Sequence, residues 1–218
     1  MKNFDLLIFD LDGTLIDSRR DLVSSINLML QEYGVRALPP EKVVRFIGRG
    51  VRNLVKQSLE AAGLDSVQLD TALNRFASIY SEHLLDTTVL YPAVAETLLR
   101  LAEVNKVILS NKSFDFILKI LQGLEIAEYF PLIIGGDTFP FMKPSREPID
   151  FILEHAGVQA SRSMIIGDSE TDILAGKSAG IKNCGVLYGL TEPAEILDLN
   201  PDFTIEQFSG LIEIVGLK

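Results

Sequence analysis

The sequence predicts an α/β fold: a doubly wound parallel sheet flanked by helices and interrupted early by a helical insertion. Three observations carry this prediction. Short apolar runs rich in Ile, Val and Leu recur and end in polar or glycine residues, the pattern of strands buried on both faces of a sheet. Helix-period segments alternate with them, as in doubly wound proteins. The first two runs are separated by about 95 residues, whereas a crossover between parallel strands needs only a dozen or so.

The elements follow in order. Residues 6–9 form the first strand. Two helical faces come next, one carrying Leu22, Ile26, Met29, Leu30 and Tyr33, the other Leu69, Leu73, Phe76 and Tyr80. Ser18 stands where it would cap the first of these helices, and Pro39-Pro40-Glu41 reads as another helix start. These segments place an inserted helical unit at 16–86, with Tyr91-Pro92 returning the chain to a main domain made of 1–15 and 87–218. Further strands are expected at 107–109, 132–134, 164–166, 185–187 and 203–205. The helices expected between them are 93–104, 114–122, 148–155 and 171–179.

A chain of 218 residues is long enough to bury a real core. It carries 30 Asp plus Glu against 20 Lys plus Arg, a net charge of -10, which argues against a nucleic-acid partner that would need a basic face. No segment approaches membrane-spanning length, so no membrane partner is expected. One cysteine, Cys184, cannot form an intramolecular disulfide and points to a reducing compartment, most simply the cytoplasm. Residues 16–86 hold nine basic and nine acidic side chains, so the main domain carries the whole excess of acid. Within the insertion Lys42, Arg45, Arg49, Arg52 and Lys56 occupy fifteen residues free of acid. Their spacing reads either as a solvated helix face or, because Gly48 and Gly50 flank Arg49, as a turn with exposed N–H groups able to meet an anion.

The chemistry concentrates at strand ends, where open parallel sheets bind ligands. The first strand runs into Asp10-Leu11-Asp12-Gly13-Thr14. Asp10 and Asp12 share a side if the chain stays extended, and Gly13 permits a tight turn after them. Two unpaired carboxylates that close repel each other, which makes a hard cation such as Mg2+ a natural third partner. Ser110 and Asn111 follow the second main-domain strand and offer a hydroxyl and an amide to phosphate oxygens. Lys143 follows the third and offers an ammonium to neutralise charge. Asp168 ends the fourth and completes a Mg2+ site, with Asp172 supporting it from the first helical turn. Taken singly, Ser110 and Asp168 also read as helix caps, Asp172 as a partner of the helix dipole and Lys143 as a solvated charge.

In this order the four groups resemble the motifs of the haloacid dehalogenase superfamily of phosphohydrolases. The segment 46–51 around Gly48-Arg49-Gly50 resembles the cap loop of its phosphoglycolate phosphatases, and 133–137 followed by Lys143-Pro144 fits the same branch. Tyr91-Pro92-Ala93 departs from that pattern, having Ala where Gly is usual, and Ser145-Arg146 stands where Ala-Pro is common.

The resemblance implies a Rossmann-like core with an inserted α-helical cap, and a Mg2+-dependent phosphatase acting on a small phosphate ester, most simply 2-phosphoglycolate. In that scheme Asp10 is the nucleophile and Asp12 the general acid and base, binding metal through its backbone carbonyl. Lys143 offsets charge, while Asp10, Asp12 and Asp168 hold Mg2+. Gly13, Thr14, Ser110 and Asn111 orient the phosphate, and Arg49 reads the remaining anion.

A sugar-phosphate mutase of the beta-phosphoglucomutase type, or a phosphatase or pyrophosphatase with another small substrate, uses the same groups. A haloacid dehalogenase has no need of Asp12, and a signalling receiver carries its phosphorylated Asp on a later strand. His83 and His155 lack partners at metal-ligand spacing, and no nucleotide-binding glycine motif occurs, so no nucleotide cofactor is expected.

Overall fold

A computed structural model describes residues 2–64 and 69–217. Six strands, β1 (Leu6–Phe9), β4 (Asn105–Leu109), β5 (Leu132–Ile134), β6 (Ser163–Gly167), β7 (Lys182–Val186) and β8 (Phe203–Ile205), form one parallel sheet in the order β5-β4-β1-β6-β7-β8. The first strand therefore lies in the middle. Phe9 is level with Ile108 of β4 and Ile166 of β6, so the three strands end side by side.

Alternation along the strands divides the core between two faces. Leu6 and Ile8, with Val107, Leu109 and Ile165, pack against α7 (Glu147–Ala156) and α8 (Glu170–Ala179). Leu7 and Phe9, with Ile108, Met164 and Ile166, join the larger cluster on the opposite face. That cluster includes Ile117, Ile120 and Leu121 of α6 (Phe114–Gly123) and Val94 and Leu98 of α5 (Val94–Arg100). A central parallel strand buried on both sides has to be apolar throughout, which is why Leu6–Phe9 has no polar position.

The long interval after β1 is helical: α1 (Arg19–Glu32), α2 (Pro40–Val44), α3 (Val51–Ala61) and α4 (Leu69–Glu82). The expected segment 16–86 includes 65–68, which lie outside the described residues. Leu22, Ile26, Met29, Leu30, Phe76 and Tyr80 are buried, as the helical spacing requires, and belong to the same large cluster as Phe9. The basic stretch does not form a continuous helix. Gly48 and Gly50 hold φ angles of 97° and 85°, so the helix breaks there into a turn, and all five basic side chains remain exposed.

Two short strands that hydropathy alone does not reveal, β2 (Ile16–Asp17) and β3 (Val89–Leu90), pair antiparallel where the chain leaves for the helices and returns. Tyr91 N donates to Leu15 O at the same crossing. Asp21 strengthens it, its carboxylate accepting from the backbone N–H and hydroxyl groups of both Thr87 and Thr88 at 2.6–3.0 Å. Cys184 lies inside β7 and is buried, whereas the sequence pattern placed that strand at 185–187, three residues late at its start and one at its end. The alternation Asn183, Cys184, Gly185 has too few branched apolar residues to announce a strand.

Ala93, at the N-terminus of α5, holds φ 64°, the left-handed region that an L side chain resists. The residue is exposed, so no packing compensates. Ala93→Gly should stabilise the fold by about 1 kcal/mol, read as a higher denaturation midpoint with an unchanged slope.

Candidate active site

The site is assembled by the three strands that end together. Asp10 follows β1, Ser110 follows β4 and Asp168 follows β6, while Lys143 comes from the loop between β5 and α7. All four are buried. The Lys143 ammonium lies 2.9 Å from Asp10 Oδ1 and 2.5 Å from Asp172 Oδ1. Burial works against that charge, yet the two carboxylates outweigh it and hold the Lys143 pKa above the ordinary value.

Three carboxylates, Asp10, Asp168 and Asp172, bring one oxygen each within 4.8 Å of one another. Asp168 is fixed by Leu190 N at 2.7 Å and by the Thr14 hydroxyl at 3.2 Å. Asp172 accepts from the backbone N–H and hydroxyl of Ser169, closing a reciprocal cap at the start of α8, and its other oxygen faces Lys143. Asp10 Oδ1 accepts no hydrogen bond, its contact with Lys143 being an ion pair of poor hydrogen-bond angle.

Burial pushes the Asp10 carboxyl up to about 6, with Lys143 pulling it back and Asp172 adding to the rise. Burial, followed by the charges of Asp10 and Asp172, pushes Asp168 up to about 8. Three acids around one ammonium leave a negative excess that a hard divalent cation offsets, and an all-oxygen donor set suits Mg2+. The residues present thus fit such an ion.

Gly13 closes the site tightly. At φ 84°, a Cβ there would collide with the Asp168 carboxylate, and a Cβ on Gly167 would collide with that of Asp172.

Asp12 departs from the expectation of two unpaired carboxylates. Its oxygens lie 2.8 and 3.0 Å from Lys112 Nζ, and Oδ1 also accepts from Ser18 Oγ at 2.5 Å. Ser18 accordingly stands at the N-terminus of α1 without capping it, its hydroxyl having been taken by Asp12. Each aspartate of the first motif has its own lysine. Lys112 is buried, and the Asp12 carboxylate holds its pKa above the ordinary value despite burial. The sequence signal for this residue was its place directly after Ser110-Asn111.

Asn111 Nδ2 donates to Gly48 O at 2.9 Å and to Lys143 O at 3.0 Å, tying the glycine turn to the lysine loop. Arg49 is not brought to the carboxylates: it is exposed, paired with Glu170 at 2.6 Å, and lines neither cavity that reaches Asp10.

Those cavities differ. One, about 40 Å³, is walled by apolar side chains of α1, α3, α4 and α6 and floored by Asp10, Asp12, Ser110, Asn111 and Lys112. The other is a polar cleft of about 750 Å³ between α2 and the Asp168 and Leu190 loops.

Because Asp10 and Asp168 titrate above 3.8, the metal-free fold binds more protons than the unfolded chain and loses stability as pH rises through about 6 and then about 8. A bound cation displaces those protons. Added Mg2+ should raise the melting temperature more at about pH 8 than at about pH 5.5, and titration with the metal near pH 7 should release protons, measurable in weakly buffered solution.

Comparison with known proteins finds relatives over most of the chain. A family model described as haloacid dehalogenase-like hydrolase matches residues 7–186. A phosphoglycolate phosphatase of Pseudomonas fluorescens is 38% identical over 95% of this chain and 78% of its own length. One of Vibrio parahaemolyticus is 34% identical over 100% of this chain and 98% of its own. The crystal structure of a predicted phosphoglycolate phosphatase from Haemophilus somnus superposes with a TM-score of 0.92 at 30% identity, covering 98% of this chain and 99% of that one. Among the described residues no helix is long and apolar enough to cross a membrane.

Proposed function

The chain belongs to the haloacid dehalogenase-like hydrolase family, and on that premise we propose that it is a Mg2+-dependent phosphatase hydrolysing 2-phosphoglycolate to glycolate through an aspartyl-phosphate on Asp10. The observation that carries this reading is the placement of Asp10: a buried carboxylate at the end of the central strand, with one oxygen unbonded and Lys143 beside it, opening on a cavity sized for a small group.

In the first step Asp10 attacks phosphorus and the bond to the ester oxygen breaks, while Asp12 supplies a proton to the departing alkoxide. In the second, Asp12 takes a proton from the attacking water and the phosphoryl–Asp10 bond breaks, releasing phosphate. Lys143 offsets charge on the nucleophile and the transferring group, and Ser110 with the N–H groups after Asp10 orients the phosphoryl oxygens. Asp10, Asp168 and the Asp12 main-chain carbonyl would hold Mg2+, with Asp172 supporting them because its own oxygens are engaged by Lys143 and Ser169. When bound, the ion supplies Lewis-acid stabilisation of the phosphoryl oxygens.

In this reading residues 16–86 act as a cap that closes over the site and excludes water. The smaller cavity supports a small leaving group. Its 40 Å³ compares with roughly 10–15 Å³ for one water by the same measure. It takes about three water-sized groups, near the limit for a carboxymethyl group and far short of a hexose. A sugar phosphate would have to lie in the wider cleft, beside Glu41, Glu192 and Glu195.

Across a panel of phosphate esters containing 2-phosphoglycolate, glucose 1-phosphate and pyrophosphate, the first should give the highest kcat/KM, and a preference for glucose 1-phosphate would overturn the substrate assignment. Asp10→Asn should lower kcat by at least about a thousandfold and abolish acid-stable labelling of the protein by ³²P-substrate. Retained turnover would refute the mechanism.

A further inference from the structure

The small cavity holds a polar arrangement that the phosphoryl chemistry does not use. Its walls are Leu22, Ile47, Val51, Leu54, Phe76 and Phe116, and among the described residues lining it Lys112 is the one cation. An ammonium has three N–H donors. Two contacts of Lys112 Nζ go to the two oxygens of Asp12, and the group sits 4.9 Å from the centre of the Tyr80 ring. Tyr80 is 1% exposed, and its hydroxyl has no hydrogen-bond partner. Orphaned polar groups of this kind are uncommon in folded interiors because they forfeit hydration without recompense. Three of them, Asp10 Oδ1, Tyr80 Oη and Asn111 Oδ1, belong to residues lining this one cavity, and the last two have no part in the phosphoryl chemistry. A phenol keeps its proton at neutral pH, so this hydroxyl has an O–H to donate.

We propose that Lys112 and Tyr80 form a carboxylate-binding subsite, receiving the acid group of the substrate while Asp10 faces its phosphoryl end. The proposal rests on the phosphatase reading above and narrows it to phosphate esters of short 2-hydroxy acids. Lys112 supplies the charge and its remaining N–H, and Tyr80 supplies the second donor that a carboxylate's two oxygens require. Apolar walls strengthen both contacts by excluding water. Arg49, exposed and paired with Glu170, is left outside this recognition. A site built to bond a polar substrate group discriminates strongly against an analogue without it, since its buried donors are then left unpaired.

The test compares 2-phosphoglycolate with ethyl phosphate, in which a methyl group replaces the carboxylate. The quantity read is the ratio of the two kcat/KM values, so that any damage to Asp12 from altering its partner lysine falls on both substrates and cancels. Lys112→Met should reduce the wild-type preference for 2-phosphoglycolate by about tenfold to a hundredfold, and Tyr80→Phe by about threefold to tenfold. Tyr80→Phe removes one oxygen and no packing volume, so it carries the test if Lys112→Met does not fold. A wild type that prefers 2-phosphoglycolate while the folded variants keep that preference within about twofold overturns the subsite and leaves the phosphoglycolate reading standing. A wild type that hydrolyses both esters equally overturns both.

Discussion

The Lys143 ammonium, shared between Asp10 and Asp172 in a fully buried position, is the interaction on which the rest of the site depends. Without a cation there, Asp10, Asp168 and Asp172 would hold three like charges in a water-poor pocket, an arrangement the fold resists by keeping protons on them. Lys143 alone does not neutralise the group. The residual negative charge suits a divalent ion, and the partial protonation of Asp10 and Asp168 would make its binding depend on pH. Breaking such a buried pair by removing one partner typically costs about 3–5 kcal/mol, so the lysine contributes to stability as well as to the chemistry proposed for it.

A second pair, Asp12 with Lys112, divides the aspartates of the first motif into two electrostatic neighbourhoods. Asp10 belongs to the acidic cluster and Asp12 to the cavity wall. That division suits their proposed tasks, one carboxylate bonding to phosphorus and the other moving protons. It also explains why Ser18 forgoes its cap: a hydroxyl directly after β2 is better spent on a largely buried carboxylate than on a helix end with access to water.

Much of this was legible in the chain. The apolar runs located five of the six sheet strands to within a few residues and the sixth, β8, from its brief Phe203–Ile205 pattern, because a strand buried on both faces leaves an unbroken apolar signature. The excess length after β1 revealed the helical interval by arithmetic alone. What escaped had weak local signals. The two-residue strands β2 and β3 are defined by pairing across some seventy residues, and β7 carries Asn and Gly where branched apolar residues would have marked it. Lys112 was visible as a residue, but nothing in Ser110-Asn111-Lys112 says that its ammonium turns back to Asp12.

The sequence by itself determined the fold class, the order of the chemical groups and the strand ends that carry them, since these follow from hydropathy period and from residue type. Tertiary structure decided the partnerships: Lys143 with Asp10 and Asp172, Lys112 with Asp12, Arg49 with Glu170 rather than with the cavity. The physical reason is range. Periodicity is a property of neighbouring residues, whereas a side chain a hundred positions away becomes a partner only when the sheet order sets β4, β1 and β6 edge to edge, and charges buried in one pocket must then settle their balance together.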